Sequence, residues 1–302
     1  MISLRYLFEF AVFKFLLGTV NIFPELWVAG MGRSFGSLCY QLGIRKAVVK
    51  KNLEIAFKGK LSNQEEEDLI KKIYRNIGSV LFEVLLLNFI NPKQLHQYLE
   101  FEGREIFQNA LAEGKGVVMA GSHFGHWELL SAGINTFIHP FYGYAGKQKN
   151  SLFDDSLNKI RQRFGMNTIS KSKTATKEMM RALKDKQILG ILGDLNVPHD
   201  NLFVDFFGKK AAMGTGLAIF TIKREAPLIF TSIVRTGPLT HRGIIKRIDY
   251  ELTGDTEKDV QNVAQKISDE IENNIRQYPD HYFWVNRRWK TRPPEEKDQP
   301  VY

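Results

Sequence analysis

What the chain lacks narrows its chemistry first. Cys39 is the only cysteine in 302 residues. No intramolecular disulfide and no multi-cysteine zinc site can form, which fits a reducing compartment. The single G-x-S-x-G match, GRSFG at 32–36, lies in the apolar N-terminal segment and does not follow a strand-like run, so a serine nucleophile on a strand-to-helix elbow, and a covalent acyl-enzyme with it, is not indicated. Repeats and low-complexity stretches are missing as well. Nowhere do ~20 predominantly apolar residues run together free of charge, the length a spanning helix needs. Acidic residues are in deficit, 33 against 42 Lys and Arg, for a formal net charge of +9. That balance calls for an anionic partner: nucleic acid, an acidic membrane surface or a phosphorylated substrate. The basic residues are spread along the chain without a stacking motif, so nucleic acid is not the expected one.

What is present begins with an unusual N-terminus. Hydrophobic residues make up 43% of the chain, enough for one large α/β domain or two small ones. The segment MISLRYLFEFAVFKFLLGTVNIFPELWVAGMG is strongly apolar yet carries Arg5, Glu9, Lys14 and Glu25, and its longest uncharged run covers residues 15–24. On a helix these charges do not collect on one face. No small-residue cleavage site follows, which argues against a removed signal peptide. Residues 1–45 therefore read as a membrane-associating helical segment, a shallow or tilted hairpin, with a buried helix pair as the alternative. Arg45, Lys46, Lys50 and Lys51 follow, a cluster suited to anionic headgroups.

Ser62 with Glu65 three residues on is a capping-box signature, and helical periodicity continues through Ile70, Ile73, Ile77 and Leu81. Thereafter short apolar runs alternate with helical segments. Strands are expected at 116–122, 141–146, 167–170, 187–194 and 227–235. Helices are expected near 103–115, 126–137, 151–165, 174–186, 213–226 and 255–279. The pattern predicts an α/β fold, a mostly parallel central sheet flanked by helices. The tail EEKDQPVY (295–302) reads as polar and mobile.

In such sheets ligands bind beyond the carboxyl ends of the strands. His123 and Asp194 both fall at expected strand ends. His123 follows GVVMAGS, and Glu128 stands five residues later in the first turn of the next helix, with Gly125 allowing a sharp turn between them. A carboxylate there can reach one imidazole nitrogen, leaving the other to take a proton from a substrate hydroxyl. A metal set of His123, His126 and Glu128, with Asp194, is the alternative, although H-x2-H-x-E lacks the i, i+4 histidine pair of a helical zinc motif. His126 reads as a helix-start residue, and His96, His139, His199, His241 and His281 as surface histidines. Lys147, Lys149, Arg161 and Arg163 suit anionic ligands, with a solvated helix face as the plainer reading. Phe206, Phe207 and Gly208 look like a packed turn, and RRWK (287–290) like a structural set.

GSHFGHWELL resembles the H-x4-D/E block of the lipid A biosynthesis (late) acyltransferase family, within the lysophospholipid acyltransferase-like group, where G-H-F-G-N-W-E is usual. Four more blocks resemble the family in order: KKNLEIAF (50–57), GKQKNSLFDDSLNKIRQRFG (146–165), ILGDLNVPHDNLFVDFFGKKAAMGTGLAIFTIKREAPLIF (191–230) and YFWVNRRWKTRP (282–293). The resemblance implies a glycerolipid acyltransferase-like domain over 46–294. It also implies an enzyme at the inner membrane, cytoplasmic face, that moves a fatty acyl chain from a thioester to a hydroxyl of a (phospho)glycolipid such as a lipid A precursor. Acyl carrier protein (ACP) or coenzyme A (CoA) would carry the acyl group, with no cofactor and no metal. The expected partners are anionic membrane lipids and the glycolipid acceptor. His123 matches the family's general base and Glu128 its partner. Asn150 matches the Asn that precedes an arginine-bearing helix, Arg161 (or Arg163) that arginine, and Asp194 the Asp of the Asp-Gln block; Lys147, Asn150, Arg161, Arg163 and Asp194 form the expected substrate and phosphate set. Ser122, His126, Leu195 and Asn286 depart from the usual Gly, Asn, Gln and His. Acylation of another lipid acceptor (a glycosylated phosphoinositide, lysophospholipid or aminolipid) remains open, as does a catalytically silent membrane-binding protein.

Overall fold

The computed structural model describes residues 3–302, so the first two residues of the expected 1–45 segment lie outside the described residues. Four helices come first: α1 (Leu4–Ile22), α2 (Glu25–Gln41), α3 (Lys46–Phe57) and α4 (Asn63–Leu86). Ser3 caps α1 by accepting from the Tyr6 amide. Pro24, which cannot donate within a helix, separates α1 from α2. The capping box of Ser62 and Glu65 starts α4 with both of its hydrogen bonds. α2 lies on α4 with backbones almost touching: a Cβ at Gly36 would stand 2.1 Å from the Tyr74 carbonyl oxygen, and one at Gly78 would meet Gly36 in turn. The basic cluster after α2 was not expected to be helical, but it opens α3, whose inner side buries Val49, Asn52 and Leu53.

The alternating pattern then unfolds largely as expected: β1 (Leu99–Glu102), α5 (Arg104–Ala112), β2 (Val117–Gly121), α6 (Trp127–Phe137), β3 (Phe141–Ala145), α7 (Ser151–Arg163), β4 (Asn167–Ser170), α8 (Ala175–Lys184), β5 (Ile188–Leu192), β6 (Asn201–Phe206), β7 (Lys209–Gly214), α9 (Gly216–Arg224), β8 (Leu228–Arg235), β9 (His241–Ile248) and α10 (Thr256–Gln277). Seven strands form one sheet in the order β1-β9-β8-β2-β5-β3-β4. All its pairings are parallel except β8 with β9. Successive β2 residues feed opposite layers. Val118 and Ala120 join α3, α8, α9 and α10, while Val117 and Met119 join α5, α6, α7 and the ends of α1 and α2. A strand covered on both faces in this way has to be apolar throughout.

The sequence pattern missed β1, β9 and the β6–β7 hairpin. The hairpin turns at Phe207 and Gly208, with φ of 53° and 68°, a backbone that short hairpins usually give to Asn-Gly. Phe207 tolerates it because tertiary contacts hold it there: the Phe207 amide donates to Glu272, and its buried ring packs by Phe57 and Trp284 beneath the Arg276 guanidinium. The 295–302 tail also differs from expectation, because Val301 and Tyr302 fold back onto the core.

Among the described residues no helix is long and apolar enough to cross a membrane. α1 is nonetheless apolar on two sides. Phe13, Leu16, Leu17 and Val20 pack inward, while Leu4, Phe8, Phe15 and Ile22 form an outward stripe at 70–83% exposure, continued by Leu26 and Trp27 of α2.

Candidate active site

β2 ends at Gly121, and the parallel register sets Gly121 beside Leu192 of β5. Two residues past each of those positions stand His123 and Asp194, so adjacent strands deliver the two side chains side by side. His123 Nδ1 lies 2.8 Å from Asp194 Oδ1. Asp194 is buried, while the His123 side chain keeps 20% of its surface exposed. Among the described residues its Nε2 has no protein partner. The loop between β2 and α6 is held tightly. Gly125 has φ +52, and a Cβ there would sit 2.3 Å from the Ile233 carbonyl oxygen, so only glycine fits. The Gly125 amide donates to the His281 carbonyl (2.8 Å) and the Phe283 amide to the His123 carbonyl (3.0 Å).

The expected Glu128–imidazole contact is not the one formed. Glu128 accepts from Arg161 Nε (3.0 Å) and Nη2 (2.5 Å) in a two-pronged pair, and Asp194 takes the place beside the ring. The reason is geometric. The first turn of α6 sends Glu128 toward α7, whose last turn carries Arg161, whereas β5 brings Asp194 to Nδ1. Burial opposes charge on His123, but the Asp194 carboxylate outweighs it and raises the ring above its ordinary 6.5, with Glu128 adding in the same sense. Burial likewise opposes ionisation of Asp194, and the His123 charge and hydrogen bonds overcome it, holding Asp194 below 3.8.

The structure thus gathers His123, Asp194, Glu128 and Arg161, and disperses the rest of the expected set. Arg163 donates to the Ile90 carbonyl (3.1 Å). Asn150 caps α7 and donates to the Tyr6 carbonyl (3.0 Å) and Glu9 (3.2 Å) of α1. Lys147 lies exposed beyond the carboxyl end of β3. The alternative metal set diverges, since His123 turns to Asp194, Glu128 to Arg161 and His126 into the core. Among the described residues no three His, Cys, Asp or Glu converge as metal ligands. Aromatic rings flank the imidazole, Trp127 at 5.1 Å and Phe283 at 6.4 Å between centroids, with exposed Leu195 beside Asp194. The RRWK block is structural in part. Trp289 is buried, and Arg288 donates to the Ala212 carbonyl (2.5 Å) over the Phe206 ring rather than pairing with a carboxylate.

Behind the loop lies a cluster with no local signal in the sequence. His241 was read as a surface histidine, yet it is buried, with Nε2 3.4 Å from Glu83. His281, read likewise, accepts from the Arg235 amide (3.0 Å). Arg235 grips Glu83 at 2.6 and 2.9 Å, and His126 stacks edge-on against His241 while accepting from the Leu129 amide as the cap of α6. Burial pushes His126 down to about 3. Burial opposes ionisation of Glu83, but the nearby His241 ring and the hydrogen-bonded Arg235 hold it at about 2. Both folded-state values are depressed, so protons favour the unfolded chain. His126 begins to cost stability as pH falls below 6.5, and Glu83 below 4.5. Stability should therefore drop steadily from about pH 6.5 toward 2, and urea unfolding across that range tests this. Glu83→Ala, which strands Arg235 without its partner, is expected to cost ~3–5 kcal/mol at neutral pH, and an unchanged urea midpoint would contradict it.

Comparisons with known proteins agree on the kind of enzyme. The family model described as bacterial lipid A biosynthesis acyltransferase matches residues 1–291. A lipid A biosynthesis lauroyltransferase of Escherichia coli (strain K12) is 25% identical over 90% of this chain and 87% of its own length. A lipid A biosynthesis acyltransferase of Haemophilus influenzae is 24% identical over 90% and 86%. A phosphatidylinositol mannoside acyltransferase of Mycobacterium tuberculosis is 23% identical over 68% and 66%. With the family model spanning nearly the whole chain, this protein belongs to the bacterial lipid A biosynthesis acyltransferase family and is an acyltransferase.

Proposed function

We propose that this enzyme transfers a fatty acyl chain from a thioester to a hydroxyl of a glycolipid such as a lipid A precursor, with His123 as general base. The observation that carries this is the His123 Nδ1–Asp194 pair, which leaves Nε2 unpartnered at the carboxyl end of the sheet. Asp194 holds the proton on Nδ1, so Nε2 presents its lone pair. In the reaction the acceptor hydroxyl gives its proton to Nε2 while its oxygen attacks the thioester carbonyl. The tetrahedral intermediate then collapses, the C–S bond breaks, and the departing sulfur takes the proton from the imidazolium, which returns the base to its starting form. Glu128 and Arg161 flank the ring, and the guanidinium supports an anionic group of either substrate. Only acceptor and thioester donor enter this reading, with no cofactor.

Charge distribution supports anionic substrates. Residues 146–186 hold eleven Lys and Arg against four Asp and Glu, which is seven of the nine net positive charges. They include Lys147, Lys149, Lys171 and Lys173 beyond the carboxyl ends of β3 and β4. An ACP or CoA thioester and a phosphorylated glycolipid are all negatively charged. The outward stripe of α1 with Trp27 supports seating on the inner membrane, cytoplasmic face, where anionic lipids would meet Arg45 and Lys50. Flotation with anionic vesicles tests that part. Phe8→Asp with Phe15→Asp is expected to release the enzyme from the vesicles, and undiminished flotation would remove α1 from the membrane contact.

The decisive assay offers labelled acyl-ACP and acyl-CoA with a phosphorylated disaccharide lipid, a mannosylated phosphoinositide and a plain lysophospholipid. Transfer to the disaccharide lipid is expected. The mycobacterial relative favours a second reading with a phosphoinositide acceptor, and transfer to that substrate alone would establish it. Transfer to none of the three would sink the proposed reaction.

A further inference from the structure

Asn52 is the one buried polar side chain of α3, at 1% exposure, and both of its donors and its oxygen are engaged. Its amide group donates to the carbonyls of Trp284 (2.6 Å) and Asn286 (2.7 Å), residues more than 230 positions away in the chain. Its oxygen accepts from the Tyr302 hydroxyl, which in turn accepts from the Trp289 amide at 3.3 Å. The segment gripped in this way is the one that frames the catalytic loop. Phe124 and Tyr282 form an antiparallel bridge, the Phe283 amide donates to the His123 carbonyl, and the Gly125 amide donates to the His281 carbonyl. The Phe283 ring also flanks the imidazole, 6.4 Å from it. Nothing in this arrangement is needed to anchor α3, because Val49, Leu53 and Ala56 already bury its inner side.

We propose that Asn52 is a positioning residue for His123: by fixing the carbonyls of Trp284 and Asn286 it sets the register of the 281–284 strap, and the strap sets the imidazole against Asp194. The inference rests on His123 being the general base. Asparagine is suited to the task because its amide supplies two donors in a fixed plane to two carbonyls, while its oxygen remains for Tyr302. A leucine would fill the space and hold neither. A buried polar network that is satisfied throughout fixes one arrangement rather than several. In this account the KKNLEIAF and YFWVNRRWKTRP blocks act as two halves of one clamp on the histidine.

The test is Asn52→Asp, nearly the same shape, which replaces the donating amide by a second acceptor facing two carbonyl oxygens. kcat, both KM values, Tm and the ¹H resonance of the His123 Nδ1 proton in histidine-labelled enzyme are measured together. A displaced base should lower kcat by ~10- to 100-fold, leave both KM values close to wild type, and shift or broaden the Nδ1 resonance. Wild-type kcat per folded molecule with an unmoved resonance would overturn the proposal, even if Tm fell. Should Asn52→Asp fail to fold, Tyr302→Phe carries the test, since it frees the Asn52 oxygen and leaves both donated bonds possible. A smaller fall in kcat with a shifted resonance supports the clamp, and wild-type values for both overturn it. His123→Ala measured alongside separates the two ideas. If it stays active, the general-base reading fails; if it is inactive while Asn52 and Tyr302 variants match wild type, only the clamp fails.

Discussion

Alanine at His123 is expected to lower acyl transfer by about 10²- to 10⁴-fold, the usual contribution of a positioned general base, with the protein still folded and both KM values little changed. The side chain is one-fifth exposed and its Nε2 makes no protein bond, so its removal deletes no structural hydrogen bond through that nitrogen. Truncation does remove the Nδ1–Asp194 bond and leaves that buried carboxylate without its partner, so Tm should fall as well, and the catalytic loss is read as kcat per folded molecule. The pH dependence follows from the same geometry. Asp194 raises the His123 pKa above 6.5 despite burial, and the base works only when neutral. In wild type kcat/KM should rise with pH and level off past an inflection above 6.5, and that limb should vanish in His123→Ala. An alanine variant as active as wild type would remove His123 from the chemistry.

Asp194→Asn should cost at least ~100-fold in kcat, by analogy with the loss seen when the carboxylate behind a catalytic histidine becomes an amide. Two effects combine. The amide can offer its NH2 to Nδ1 and so favour the wrong tautomer, and it no longer stabilises the imidazolium formed during attack. The inflection in kcat/KM should also move to lower pH, because the charge that raised it is gone. Glu128→Gln provides the contrast. Glu128 bonds Arg161, not the ring, so its loss should chiefly loosen Arg161 and weaken substrate binding, with a smaller effect on kcat. If Glu128→Gln cost far more in kcat than Asp194→Asn, the working partner of His123 would be Glu128, and the pair seen in the structure would be only its resting arrangement.

Sequence alone determined the class of fold and the place of the candidate site. Short continuous apolar runs alternating with helical segments indicate a parallel sheet covered on both faces, and His123 and Asp194 fall at strand ends because such strands stop where the apolar run stops. Local signals also sufficed for the Ser62 capping box and for His126 at the start of α6, since each depends on neighbours within a few residues. Tertiary structure decided who touches whom. Asp194 rather than Glu128 meets the imidazole because β5 pairs with β2 in one particular register, and no spacing within H-x4-E encodes the register of a strand 70 residues away. Arg161 reaches Glu128 only because α7 packs beside α6, and Arg163, two residues on, turns instead to the Ile90 carbonyl. His241 reads as a surface residue because it has no companions in the sequence, but pairing of β9 with β8 carries it under α4 to Glu83. Asn52 and Tyr302 hold their meaning wholly in contacts between distant segments. Backbone periodicity is a local energy and is legible in a string of residues, whereas side-chain partnership is settled by how whole elements pack, which the string does not display.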